Sequence, residues 1–99
     1  MSAYLVVQAS LTDPVKFRDY TAQVPALIKR FGGRYIVLGG EQEAIESTLP
    51  PFRTVISEWP DRAAALAFWH SPEYTAAKKL REGTGSFTVS LVDGMPVAV

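Results

Sequence analysis

Hydrophobic and polar positions follow two rhythms along this chain, and together they predict a β-α-β-β-α-β order of elements. "AYLVVQASL" (Ala3–Leu11) is rich in aliphatic and β-branched residues and stops at "TDP", which predicts a strand. Asp13 then caps a helix that carries Pro14 at its first position, where a missing N–H costs nothing. Phe17, Tyr20, Val24, Leu27, Ile28 and Phe31 recur every three or four residues, making one apolar stripe that Gly32-Gly33 ends. Pro25 lies inside the stripe and predicts a kink or local break near Val24. "RYIVLGG" (Arg34–Gly40) and "RTVISEW" (Arg53–Trp59) are the next two strands. The polar linker between them, "EQEAIESTLPPF", is expected to offer an edge strand around Ala44 to Glu46. Asp61 caps a second helix, "RAAALAFWH", and Ser71-Pro72 starts another helical turn through Tyr74, Ala77 and Leu80. "SFTVSLVDG" (Ser86–Gly94) is the last strand, closed by Gly94 and Pro96.

This order predicts a ferredoxin-like α+β protomer: an antiparallel sheet of order 4-1-3-2 with its helices on one face. Residues 1–99 are expected to form a single domain, because no linker, repeat or low-complexity tract divides them. Side chains alternate across a strand, so each strand can be split into two sets. Leu5, Val7, Ala9 and Leu11, with Val55, Trp59, Phe87, Val89, Leu91, Tyr35 and Val37, are assigned to the helix-covered face. Tyr4, Val6, Gln8, Ser10, Arg34, Ile36, Leu38, Thr54, Ile56, Glu58, Thr88, Ser90 and Val92 are left on the free face. That free face is too apolar for water and too polar for a dry core. Two copies packed sheet to sheet would bury it and enclose a small, partly polar cleft, and this is where a ligand is expected.

Composition strengthens the expectation of a partner. A chain of 99 residues buries only somewhat more than about 60% of its unfolded surface when it folds alone. With 47% of its residues hydrophobic, it has apolar surface to spare, so a homodimer is expected. Ten basic and ten acidic residues cancel and are scattered, which argues against nucleic acid and anionic membranes. No cysteine is present, so disulfides, thiolate chemistry and zinc–sulfur sites are excluded. The opening "MSAYLVVQAS" lacks a basic region and a long apolar run, and a soluble, cytoplasmic protein is expected.

The run "AYLVV…TDP…F…Y…VP…GGRY…GG…PP…E…A…F…SPEY…R" resembles the domain of unknown function 1330 family, within the dimeric α/β-barrel superfamily. The resemblance covers nearly the whole chain. It implies the ferredoxin-like protomer and a two-fold barrel dimer, but no particular activity. Sister families include cofactor-free monooxygenases, haem-degrading enzymes, small isomerases and dye peroxidases. His70 departs from the pattern, since the family more often carries Asp, Asn or Tyr there.

Among the candidate residues, His70 is the sole histidine and could move protons or bind metal. A helix end explains it better, because an imidazole there favours the last carbonyls, and no Cys or second His completes a metal set. Ser71 is an N-cap rather than a nucleophile. The glycine pairs Gly32-Gly33 and Gly39-Gly40 do not have the spacing of a phosphate loop. Trp59 and Trp69 are assigned to packing, and Arg53 and Arg81 to solvated ends able to close a cleft mouth. Arg34 and Glu58 fall at the same end of the free face, near Tyr4. If they pair, they form a structural salt bridge or a clamp; if they do not, Glu58 is a candidate general base.

Two functions therefore stay open. One is a metal-free, cofactor-free enzyme moving a proton with Glu58, its small organic substrate held by Tyr4, Gln8, Arg34, Thr88 and Ser90, with His70 and Tyr74 within reach. The other is a non-catalytic ligand-binding or dimerisation module with a structural Arg34–Glu58 pair.

Overall fold

The computed structural model describes residues 1–49 and 52–95, so the closing role expected of Pro96 lies outside the described residues. The elements are β1 (Ala3–Leu11), α1 (Pro14–Thr21), α2 (Val24–Arg30), β2 (Arg34–Leu38), β3 (Arg53–Trp59), α3 (Arg62–Trp69), α4 (Pro72–Lys78) with a 3₁₀ turn (Lys79–Arg81), and β4 (Gly85–Asp93). The four strands form one antiparallel sheet in the order β2-β3-β1-β4, as the ferredoxin-like expectation requires.

Local chemistry sets the boundaries. The Asp13 carboxylate accepts the Lys16 N–H at 3.0 Å, Asp61 accepts from Ala64 at 2.8 Å, and the Ser71 hydroxyl accepts from Tyr74 at 3.0 Å. Each satisfies one of the N–H groups that a helix start leaves without a partner. The long apolar stripe is broken into α1 and α2 at Ala22-Gln23, because Pro25 has no N–H to continue the first helix. At the end of α2, Gly32 takes φ +92°. Its N–H donates to the Lys29 carbonyl at 3.1 Å, and that of Gly33 donates to Ile28 at 2.9 Å, forming the paired bonds of a Schellman cap.

Two expectations are corrected. The stretch around Ala44 to Glu46 is not an edge strand but part of an exposed loop with bends at 45–47. Its one large apolar side chain, Ile45, is 90% exposed and finds no sheet to pack on. In β2, Arg34 pairs with Glu58 and Tyr35 with Ser57, but Val37 pairs with Ile56 and Leu38 with Val55. Ile36 is thus an extra residue, a β-bulge, and everything after it changes face. Val37 belongs to the free face and Leu38 to the helix side, the reverse of strict alternation.

The core lies between sheet and helices. Leu5 and Trp59 from the sheet meet Val24 and Ile28 of α2, Ala65 and Phe68 of α3, and Tyr74 and Ala77 of α4. Trp59 is wholly buried, and its indole N–H donates to the Ser57 hydroxyl at 2.9 Å. Phe68 is the hub, with ring centroids 4.4 Å from Tyr74, 4.9 Å from Trp59 and 6.0 Å from Phe31.

Candidate functional site

A cavity of about 280 Å³ lies between the sheet and the helices. Its floor is the inner set of the strands: Leu5, Val7, Ala9 and Leu11 of β1, Val55 and Ser57 of β3, Phe87 and Val89 of β4, and Tyr35 and Leu38 of β2. Its roof is Phe17, Tyr20 and Thr21 of α1, Val24 and Ile28 of α2, Phe68 and Trp69 of α3, and Tyr74 of α4, with Arg81 from the 3₁₀ turn. Gly39 and Arg53 complete it at the β2–β3 end. An apolar cavity of roughly 150 Å³ suffices for benzene, so this one has room for about two fused rings.

Its polar groups are few and specific. The Tyr20 and Tyr74 hydroxyls share a hydrogen bond of 2.8 Å, one donating and the other keeping its proton for a further acceptor. Burial pushes both phenols above the ordinary tyrosine value, and Tyr20 is raised further by Tyr74 beside it. Tyr35 is pushed up to about 12, again by burial. All three are therefore neutral hydrogen-bonding phenols throughout the physiological range, not phenolate bases. The Arg81 guanidinium lies 4.2 Å from the centroid of Phe87 and 5.6 Å from that of Tyr20, over their rings.

The backbone of Arg81 is fixed by a buried knot. Its carbonyl accepts both the N–H and the hydroxyl of Thr84, which has no exposed surface. The Thr84 carbonyl in turn accepts the N–H groups of Thr12 and Asp13, at 2.8 and 3.1 Å. Next to it Gly85 passes so close to β1 that an added Cβ would stand 2.1 Å from the Ser10 carbonyl oxygen. No side chain fits there, so the turn that carries Arg81 is pinned to the end of β1.

The residues singled out from sequence divide sharply. Tyr74 lines this cavity; Tyr4, Gln8, Arg34, Glu58, Thr88, Ser90 and His70 do not. The cavity of this protomer thus lies on the opposite side of the sheet from the free face. His70 is the exposed C-cap of α3, with its N–H on the Leu66 carbonyl. On the free face, Glu58 is bound on both carboxylate oxygens. Arg34 reaches Oε1 through Nε at 2.8 Å and Nη2 at 2.6 Å, and the Tyr4 hydroxyl donates to Oε2 at 3.2 Å. Arg34, and secondarily Tyr4, hold the Glu58 carboxyl below the ordinary glutamate range. A shallower depression of about 180 Å³ lies here, lined by Ser2, Gly32, Arg34, Glu58, Trp59 and Pro60. Among the described residues no group of three His, Asp or Glu side chains is placed to hold a metal, and no helix is long and apolar enough to cross a membrane.

Tyr20, Tyr35, Trp69, Phe87 and Arg81 do not stand out in the sequence as a site. Their signal is present but weak: Tyr20 and Tyr74 sit on the inward stripes of different helices, and a buried phenol must find a hydrogen-bonding partner there. The fold is shared with solved structures at low identity. RPA0582 of Rhodopseudomonas palustris, a protein of unknown function, superposes with a TM-score of 0.76 at 17% identity over 97% of this chain and 84% of its own. SnoaB, a cofactor-independent oxygenase from Streptomyces nogalater, gives 0.71 at 16% identity over 97% and 95%. At3g17210 of Arabidopsis thaliana gives 0.71 at 14% identity over 98% and 99%. No curated protein matches the sequence. The sequence profile of a domain of unknown function, DUF1330, matches residues 2–95.

Proposed function

The chain belongs to the DUF1330 family, and from that premise we propose that it is a homodimeric protein that binds a small organic molecule between its sheet and its helices. The observation that carries this reading is the cavity of about 280 Å³, walled by aliphatic and aromatic side chains and supplied with a hydroxyl pair and a guanidinium at one end. Small-molecule sites commonly have this form: an apolar body with a few converging polar groups that fix orientation. The aromatic walls of Phe17, Tyr20, Trp69 and Phe87 favour a flat ring system.

The Arg34–Glu58–Tyr4 group supports the structural alternative for Glu58. A carboxylate held ionised by two guanidinium N–H groups on one oxygen and a phenol O–H on the other is a poor proton acceptor, and it does not line the large cavity. Its place is the dimer interface, where Tyr4, Val6, Ile56 and the exposed Val37 and Val92 would be covered by a second copy. If the bound molecule is also transformed, the groups at hand are the neutral phenols of Tyr20 and Tyr74, which can donate a hydrogen bond to a developing oxyanion. The likeness to SnoaB, a cofactor-independent oxygenase, makes oxidation of an aromatic compound the first chemistry to assay.

A thermal-shift screen of one- to three-ring aromatic compounds tests the reading. Binders should raise Tm, and Val89→Trp, which fills the cavity floor, should abolish that rise while leaving the circular dichroism spectrum intact. Ligand-induced stabilisation that survives Val89→Trp would refute the site.

A further inference from the structure

The charges around the cavity are one-sided. Among its described lining residues are two arginines, Arg53 and Arg81, and no Asp, Glu or His. Arg53 stands at the β2–β3 end and reaches the Gly39 carbonyl at 3.5 Å. Arg81 is different: it is half-buried, beside the Tyr20–Tyr74 hydroxyl pair, and no carboxylate among the described residues lies within ion-pairing distance of it.

The nearby acids are engaged or turned elsewhere. Glu73 of α4 pairs with Arg30 at 3.7 Å, Asp13 caps α1, and Asp19 and Glu82 are exposed. Of the other cations on these elements, Lys16 donates to the Glu82 carbonyl at 2.8 Å, Lys78 sits over the Trp69 ring at 4.7 Å, and Arg18 and Lys79 are exposed. The Arg81 guanidinium carbon lies over the Phe87 ring, 4.2 Å from its centroid, and a guanidinium that stacks on a ring keeps the N–H groups at its rim free to bond in the plane. A guanidinium drawn partly out of water with no anion beside it is unfavourable unless something of opposite charge arrives. The neutral phenols add an O–H donor on the same side and no negative charge.

We infer that the cavity selects anions: its ligand is an aromatic acid whose carboxylate is bound by Arg81, with the free O–H of the Tyr20–Tyr74 pair as a second donor. This rests on the cavity being the binding site, as proposed above. The planar two-oxygen carboxylate matches the guanidinium rim, so the pairing carries orientation as well as charge.

The native protein alone can decide. Naphthalene carboxylate and its primary amide have nearly the same shape and differ in charge, and calorimetric titration of each reads the discrimination directly. The carboxylate should bind about tenfold or more tighter, the scale of one charged hydrogen-bonded contact, and its advantage should shrink as salt is added. Arg81→Met should bring the two affinities together mainly by weakening the carboxylate, and Arg81→Lys should restore part of the difference. Equal affinities in the native protein, or a preference for the amide, would overturn the charge inference and leave the cavity reading standing. Binding of the carboxylate that persists in Val89→Trp, or binding of neither probe, would overturn the cavity reading and the inference with it. Should Arg81→Met fail to fold, the native comparison still decides.

Discussion

At the scale of single residues, ionisation separates the two faces of the sheet. Glu58 is anionic and tied down, whereas Tyr20, Tyr35 and Tyr74 are neutral and buried. A carboxyl whose folded pKa lies below its ordinary 4.5 contributes stability that is fully present above that value and is lost as pH falls through the folded one. The Tm gap between native protein and Glu58→Gln should therefore be constant near neutrality and close as the solution is acidified below about 4.5. A gap that stays open in strong acid would mean that Glu58 acts through shape and not through charge. For the phenols the sign is opposite: raised pKa values delay ionisation, so phenolate absorbance from these three tyrosines should appear only beyond pH 10, late in an alkaline titration. The Arg34–Glu58 contact was legible from sequence because strand order and alternation alone put the two residues opposite each other. The positions of Val37 and Leu38 were not, because the bulge at Ile36 leaves no mark in a run of four consecutive apolar residues.

At the scale of elements, capping residues carried most of what the sequence could reveal. Asp13, Asp61 and Ser71 were recognisable from their place ahead of Pro or an apolar run, and each makes its cap bond. The Ser71 hydroxyl also donates to the Phe68 carbonyl at 2.7 Å, so one side chain ends α3 and begins α4 while buried. Ser71→Ala should cost about 1 kcal/mol or more, a fall in Tm of roughly 4–8 °C for a domain of this size, and Ser71→Thr should recover much of it. An unchanged Tm would show that the α3–α4 corner is held by Phe68 and Tyr74 packing alone. What the pattern could not reveal was the gap between elements. Alternation says which face of a strand is apolar, but not whether the helices above it come close enough to fill the space. That depends on how the two halves of the broken stripe, α1 and α2, and the 3₁₀ turn that carries Arg81 settle against the sheet, which tertiary packing sets.

At the scale of the whole molecule, the proposed function gives the two sheet faces different roles, the outer one to meet a second copy and the inner one to hold a ligand. Ile56→Lys, placed on the outer face among Val6, Val37 and Tyr4, should shift sedimentation velocity from dimer toward monomer while ligand affinity changes little. A dimer indifferent to that charge would place the interface elsewhere. The central claim is the side of the sheet on which the ligand lies, and methyl NMR reads it without ambiguity. With naphthalene carboxylate bound, nuclear Overhauser contacts should connect its ring protons to the methyl groups of Val7, Val55 and Val89, which line the cavity. Contacts instead to Val6, Ile56 and Val92, their neighbours on the opposite face, would contradict the account and return the site to the interface between the sheets.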